Sequence, residues 1–155
     1  MYAQAAICEN GHVATTTDAS TYTDSFCKEC GSKIIKTCPK CGTPIQGCSH
    51  EDLFYTCGRY NPPSYCHNCG QPYPWTTARI EAAKMLIEDM DELSDEEKKK
   101  MSESIDKIIT DTPYTEASAN RIKKYLLKIG KESASAIRDV LVNIASEAAK
   151  KILGV

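Results

Sequence analysis

The chain has 155 residues, 41% of them hydrophobic, and a formal net charge of −2. That length suits one domain or two small ones, and the hydrophobic content excludes disorder as a class. The near-neutral, slightly acidic balance removes the simple electrostatic case for nucleic-acid binding.

The apolar residues are distributed unevenly. Residues 1–75 contain all nine cysteines, many turn formers and few aliphatic side chains, whereas residues 76–155 contain no cysteine. A segment of about 75 residues this poor in aliphatics does not bury enough surface to fold unaided, so metal or disulfides must cross-link it. The opening Met1-Tyr2-Ala3-Gln4-Ala5-Ala6-Ile7-Cys8 has no basic region followed by an apolar core, so no signal peptide is expected. Nor does any run reach the roughly 18 apolar residues of a membrane span. A cytoplasmic chain, at most peripheral to the membrane, is the expectation, and cysteines at metal spacing are then read as ligands. The odd cysteine count also suits a disulfide framework poorly.

The first element is Ile7-Cys8-Glu9-Asn10-Gly11-His12, a long knuckle with Cys8 and His12 as candidate ligands and Asn10-Gly11 as its turn. Three further knuckles share the form Cys-x-x-Cys-Gly: Cys27 and Cys30 before Gly31, Cys38 and Cys41 before Gly42, Cys66 and Cys69 before Gly70. Two sulfurs at this spacing can both lie about 2.3 Å from one zinc ion. The glycine lets the chain turn through positive φ, so that backbone amides face the thiolates. Lys28 and Lys40, inside two of these turns, read equally well as partial charge offsets or as ordinary solvated lysines.

Four half-sites make two tetrahedral sites. Sequential pairing places Cys8, His12, Cys27 and Cys30 on one Zn2+, with 14 residues between the half-sites. It places Cys38, Cys41, Cys66 and Cys69 on a second, with 24 residues between. Each interval has room for a short hairpin. The seven residues between Cys30 and Cys38 also permit a cross-brace, in which the first and third knuckles share a metal. Sequential pairing is the preferred reading. With four protein ligands on each ion the zinc is structural, and no enzyme is expected. Glu9 lacks the His-x-Glu arrangement of zinc deaminases, and no Walker loop, Gly-x-Ser-x-Gly elbow or His-Glu-x-x-His helix occurs. A thioredoxin-like redox pair would need a βαβ context that is missing. His67 is expected to face solvent or a neighbouring loop. Cys48 and Cys57 are left over; with His50 they could form a third metal site, but ordinary small side chains in a loop of the second ribbon are the simpler reading.

In the linker, residues 72–77, Pro72 and Pro74 are expected to bar helix, with Tyr73 and Trp75 docking the helices onto the ribbon rather than binding a ligand. A helix over 78–92, capped by Thr76 or Thr77, puts Ile80, Ala83, Ile87 and Met90 on one face. Ser94 and Glu97 form a capping box for a helix over 95–110, with Met101, Ile105, Ile108 and Ile109 toward a partner. After Thr112-Pro113 a long helix over 114–153, with a kink at Gly130, carries the stripe Ile122, Leu126, Ile129, Ile137, Leu141, Ile144, Ala148 and Ile152. That stripe reads first as a core or oligomer seam and second as a membrane-surface helix, although residues 131–155 contain no tryptophan or phenylalanine. Residues 76–111 carry six basic and eleven acidic side chains and residues 112–155 eight and four, so the two stretches complement each other.

The chain resembles a bacterial family of unknown function built from an N-terminal double zinc ribbon and a helical tail. The resemblance lies in residues 7–12, the Cys-Pro-Lys-Cys-Gly knuckle at 38–42, Pro62-Pro63-Ser64-Tyr65-Cys66-His67-Asn68-Cys69-Gly70, Trp75 and the terminal 145–154. It covers nearly the whole chain, implies zinc on the eight ligands above and brings no activity with it. Cys48 and Cys57 look like additions to the shared pattern.

The expected architecture is a small metal-bound α+β protein: a double zinc ribbon with short β-hairpins at 1–71, the linker, and a helical region at 78–155. The expected role is a protein–protein interaction or oligomerising module, binding a protein partner or a second copy through the helical region. An anionic membrane surface, met by residues 131–155, is the alternative. Nucleic-acid binding by the ribbons is least expected, because residues 1–75 carry five basic and six acidic side chains.

Overall fold

A computed structural model describes residues 1–50, 57 and 60–155. The chain divides into two compact units, Met1–Ala78 and Arg79–Val155.

The first unit is built on short strands: β1 (Tyr2–Gln4), β2 (Ala6–Cys8), β3 (Val13–Thr15), β4 (Ile34–Ile35) and β5 (Gln46–Ser49). They form two antiparallel sheets, β1–β5 and β3–β2–β4. The central strand β2 is buried on both faces, and its alternation divides the unit's core. Ala6 and Cys8 join Ala19 and Ile34 in one small cluster. Ala5 and Ile7 join Ile45, Cys38, Cys66, Tyr73 and Trp75 in another. A period of two thus aims successive residues at two different cores. Each core contains cysteines of one knuckle pair.

Strand β5 is closely held. The Gly47 backbone lies so near Thr16 that an added Cβ would stand 2.1 Å from its carbonyl oxygen, which accepts from the Cys48 amide at 2.9 Å. Cys48, buried on this strand, forms a disulfide with Cys57 across a Cα–Cα distance of 5.9 Å. This corrects the reading of the two as ordinary small side chains, and sulfurs bonded to each other cannot serve as thiolates in a third metal site. The loop expected between the last two knuckles lies partly outside the described residues.

The second unit holds most of α1 (Pro74–Glu88) and all of α2 (Asp95–Lys107), α3 (Thr115–Lys128), α4 (Lys131–Leu141) and α5 (Glu147–Leu153). One apolar cluster joins all five helices, with Ile87, Met101, Ile105, Ile122, Ile137 and Leu141 at its centre. Ser94 and Glu97 make the expected capping box.

Three boundaries differ from the sequence reading. Pro74 does not bar helix but opens α1, because the first helical position needs no N–H donor. Tyr73 and Trp75 accordingly pack inside the first unit, rings stacked 4.7 Å apart, with Trp75 Nε1 donating to the Pro63 carbonyl at 3.0 Å. Pro113 lies in a turn before α3, where the Thr115 hydroxyl accepts from the Thr112 amide and donates to the Thr110 carbonyl, each at 2.8 Å. The long terminal helix is instead three helices. Ile129 and Gly130 are both extended, ψ 165° and 157°, which ends α3 rather than kinking it. A second break follows Leu141, and Ser146 caps α5 by accepting from the Ala149 amide at 3.3 Å. This second break shifts the phase by one residue, so Ala149 and Leu153 are buried where the stripe marked Ala148 and Ile152.

Candidate metal centres

The three short knuckles repeat one backbone geometry. In each, the amide of the first cysteine donates to the carbonyl five residues on: Cys27 to Ser32 at 2.8 Å, Cys38 to Thr43 at 2.8 Å and Cys66 to Gln71 at 2.9 Å. The glycine amide four residues on returns a bond to that cysteine's carbonyl. Gly31, Gly42 and Gly70 adopt φ of 73°, 75° and 72°, a left-handed turn that glycine takes without steric cost. A bridge between strand-like residues closes each turn, Phe26 with Lys33, Thr37 with Pro44 and Tyr65 with Pro72. The long knuckle achieves the same result differently: Gly11 donates to the Cys8 carbonyl, and the Cys8 and His12 backbones pair at 2.9 Å.

These turns bring the eight expected residues into two groups, Cys8–His12–Cys27–Cys30 and Cys38–Cys41–Cys66–Cys69. Within each, all ligand atoms lie within 4.8 Å of one another. The pairing is the sequential one, and the cross-brace is excluded because Cys30 faces Cys8 at 3.7 Å while Cys38 faces Cys69 at 3.7 Å.

The edge lengths identify what the groups fit. A tetrahedron with Zn–S spokes of about 2.3 Å has S···S edges of about 3.8 Å, and a nitrogen ligand shortens its edges to about 3.6 Å. The sulfurs stand 3.7 Å apart for Cys8–Cys30, 3.7 Å for Cys38–Cys69 and 3.6 Å for Cys41–Cys66. His12 Nδ1 lies 3.4 Å from Cys8 Sγ and 3.7 Å from Cys27 Sγ. A disulfide would need about 2.05 Å. Both groups therefore fit one zinc ion each, two per chain, held by four protein ligands.

Donors surround the sulfurs. The His12 amide reaches Cys8 Sγ at 3.2 Å and the Glu29 amide reaches Cys27 Sγ at 3.4 Å. An asparagine of one knuckle donates to the exposed thiol of the other in both groups, Asn10 to Cys30 at 3.4 Å and Asn68 to Cys41 at 3.8 Å. Thiolate-favouring contacts lower those two thiols: Ser32 and Asn10 bring Cys30 down to about 5, and Thr43 and Asn68 bring Cys41 down to about 6. One other thiol in each group moves the other way. Burial pushes Cys8 up; at Cys69 the Gln71 amide lowers the thiol, but burial and the thiols of Cys41, Cys66 and Cys38 outweigh it, giving about 12. Crowded thiols cannot all ionise alone, and a dication removes that restriction.

Tyr73 gives an independent test of that fit. Its hydroxyl is the only buried side-chain N or O atom without a hydrogen-bond partner among the described residues. Tyr73 packs with Cys38 and Cys66, and burial and the Cys66 thiol push its hydroxyl well above the usual range. A metal-bound thiolate there would be the acceptor this hydroxyl lacks. His67 lines a shallow cavity of about 250 Å³ with Thr43 and Pro44 and belongs to neither group. Spacing marks Asn10 only as a turn former and does not mark Glu29 or Asn68; the signal for all three is their position inside a knuckle, beside a ligand.

No curated protein and no solved structure matches the chain. A family model matches residues 1–153, and the chain belongs to that family, described as an uncharacterized protein conserved in bacteria (DUF2321).

Proposed function

We propose that this is a non-enzymatic interaction protein in which two structural zinc ions fix the ribbon unit and the helical unit meets a protein partner or a second copy. The observation that carries this reading is that each group offers four protein ligands at tetrahedral spacing, which leaves no coordination position for a substrate or an activated water. Met85, Tyr114, Leu127 and Val142 are large apolar side chains exposed on the helical unit, and Leu127 is 76% exposed. They supply the apolar contact that an interaction surface uses.

X-ray absorption at the zinc edge tests the first half: a sulfur–nitrogen shell with no oxygen scatterer supports structural zinc, and a bound-water shell on either ion removes it. Light scattering of the zinc-loaded chain, with and without Leu127→Glu, tests the second. Self-association that the substitution abolishes supports a homotypic surface; a monomer at every concentration directs the search to a different protein.

The membrane alternative has less to recommend it. No helix among the described residues is long and apolar enough to cross a membrane. The face it would use at the interface, Ala134, Ile137, Leu141, Ala149 and Leu153, is buried inside the helical unit. Flotation with anionic liposomes decides between them.

A further inference from the structure

The imidazole of His12 has two different neighbours. Nδ1 faces the sulfurs of Cys8 and Cys27, whereas Nε2 faces a carboxylate oxygen of Glu29 at 3.4 Å. Glu29 sits inside the opposite knuckle, where its own amide points at Cys27 Sγ. The turn that presents two thiolates to the metal therefore also presents a carboxylate to the ligand of the facing turn.

We propose that Glu29 is a positioning residue of the first zinc centre, accepting a hydrogen bond from His12 Nε2–H and so committing the ring to bind metal through Nδ1. The inference rests on reading the first group as a zinc site. A metal-bound neutral imidazole carries its proton on the other nitrogen, and an acceptor there fixes tautomer and ring orientation and makes the ligand more basic.

The second group gives the control. The positions equivalent to Glu29, third in a Cys-x-x-Cys turn, are Lys40 and Asn68 there. In the first group, where one ligand is an imidazole, the third residue is anionic; in the second, where all four ligands are cysteines, neither third residue is anionic and Lys40 is cationic. Each charge complements its ligand set. As a bare ion pair the His12–Glu29 contact would contribute little, since the Glu29 side chain is 72% exposed. Its consequence is to be sought in the tautomer and in metal affinity.

The test uses the full chain loaded with two zinc ions. A long-range proton–nitrogen correlation of the assigned His12 ring is expected to show a protonated Nε2 and a metal-shifted Nδ1. Competition with a chromophoric chelator is expected to show the first centre of Glu29→Ala binding zinc about 10–100-fold more weakly. Glu29→Gln, which keeps an acceptor oxygen, should recover much of that loss. A ring bound through Nε2, or a Glu29→Ala chain with unchanged affinity, overturns the proposal. A loaded mass showing fewer than two zinc ions overturns instead the zinc reading beneath it.

Discussion

The two units, Met1–Ala78 and Arg79–Val155, are almost equal in length but differ in what stabilises them. The helical unit gathers isoleucine, leucine and methionine from five helices into one cluster. The ribbon unit has two small clusters whose buried members include Cys8, Cys38 and Cys66, so metal ligands occupy positions that aliphatic residues fill in the other unit. One unit depends on hydrophobic burial, the other on coordination. The difference shows how a chain with little aliphatic surface substitutes a few strong, directional bonds for many weak contacts.

Removing zinc should separate the units most sharply. Structural zinc in small domains contributes about 10–16 kcal/mol per ion at neutral pH. Thorough chelation of the full chain is expected to collapse the amide dispersion of residues 1–73 in a proton–nitrogen spectrum. The helical signal at 222 nm, from residues 79–155, should largely persist. A ribbon unit that stays ordered without metal sinks the comparison. The converse perturbation is Ile122→Ala, at a fully buried position of α3. It should destabilise the helical unit by about 2–5 kcal/mol in urea unfolding while two zinc ions remain bound.

The disulfide adds a smaller increment to the ribbon unit. It closes a sequence separation of nine residues, for which the chain-entropy estimate is about 2–3 kcal/mol. Replacing Cys48 and Cys57 together by serine should lower the chelator concentration at which the ribbon unit unfolds, with zinc stoichiometry unchanged. Loss of one zinc in that double variant would instead make the pair part of a metal site. Tyr73→Phe probes the same unit one step closer to the metal. If the hydroxyl donates to a zinc-bound thiolate, its removal should cost about 1.5–3 kcal/mol in the loaded chain. Equal stability of the two loaded proteins would leave the buried hydroxyl unexplained.

Legibility in the sequence followed the same division. The metal groups were readable because coordination is encoded in short spacings: Cys27 and Cys30, or Cys66 and Cys69, carry their geometry within a single turn. The three-strand sheet around β2 was not, since Ala6 and Ile7 give no hint that alternate residues serve separate cores. Cys48 and Cys57 escaped because their pairing depends on where β5 lies against Thr16. In the helical unit, periodicity identified the apolar face through Ile122, Leu126, Ile137 and Leu141, yet periodicity carries no information about continuity. The stripe passed over Gly130 and Ser146 alike, while the backbone broke at both.

That last point gives the smallest expected effect and one whose sign is decisive. In a continuous helix Ser146 would be an interior residue, and Ser146→Ala would raise stability slightly, because alanine is the better helix former. As the cap of α5, Ser146 accepts from the Ala149 amide through its hydroxyl, while its own amide donates to the Ile108 carbonyl at 2.8 Å. Alanine keeps the second bond and loses the first, leaving one amide of the first turn without its partner. The substitution should therefore destabilise the helical unit by about 1 kcal/mol, measured by urea unfolding at fixed zinc. Stabilisation of any size would restore the uninterrupted terminal helix, and with it a register in which Ala148 and Ile152, rather than Ala149 and Leu153, face the core.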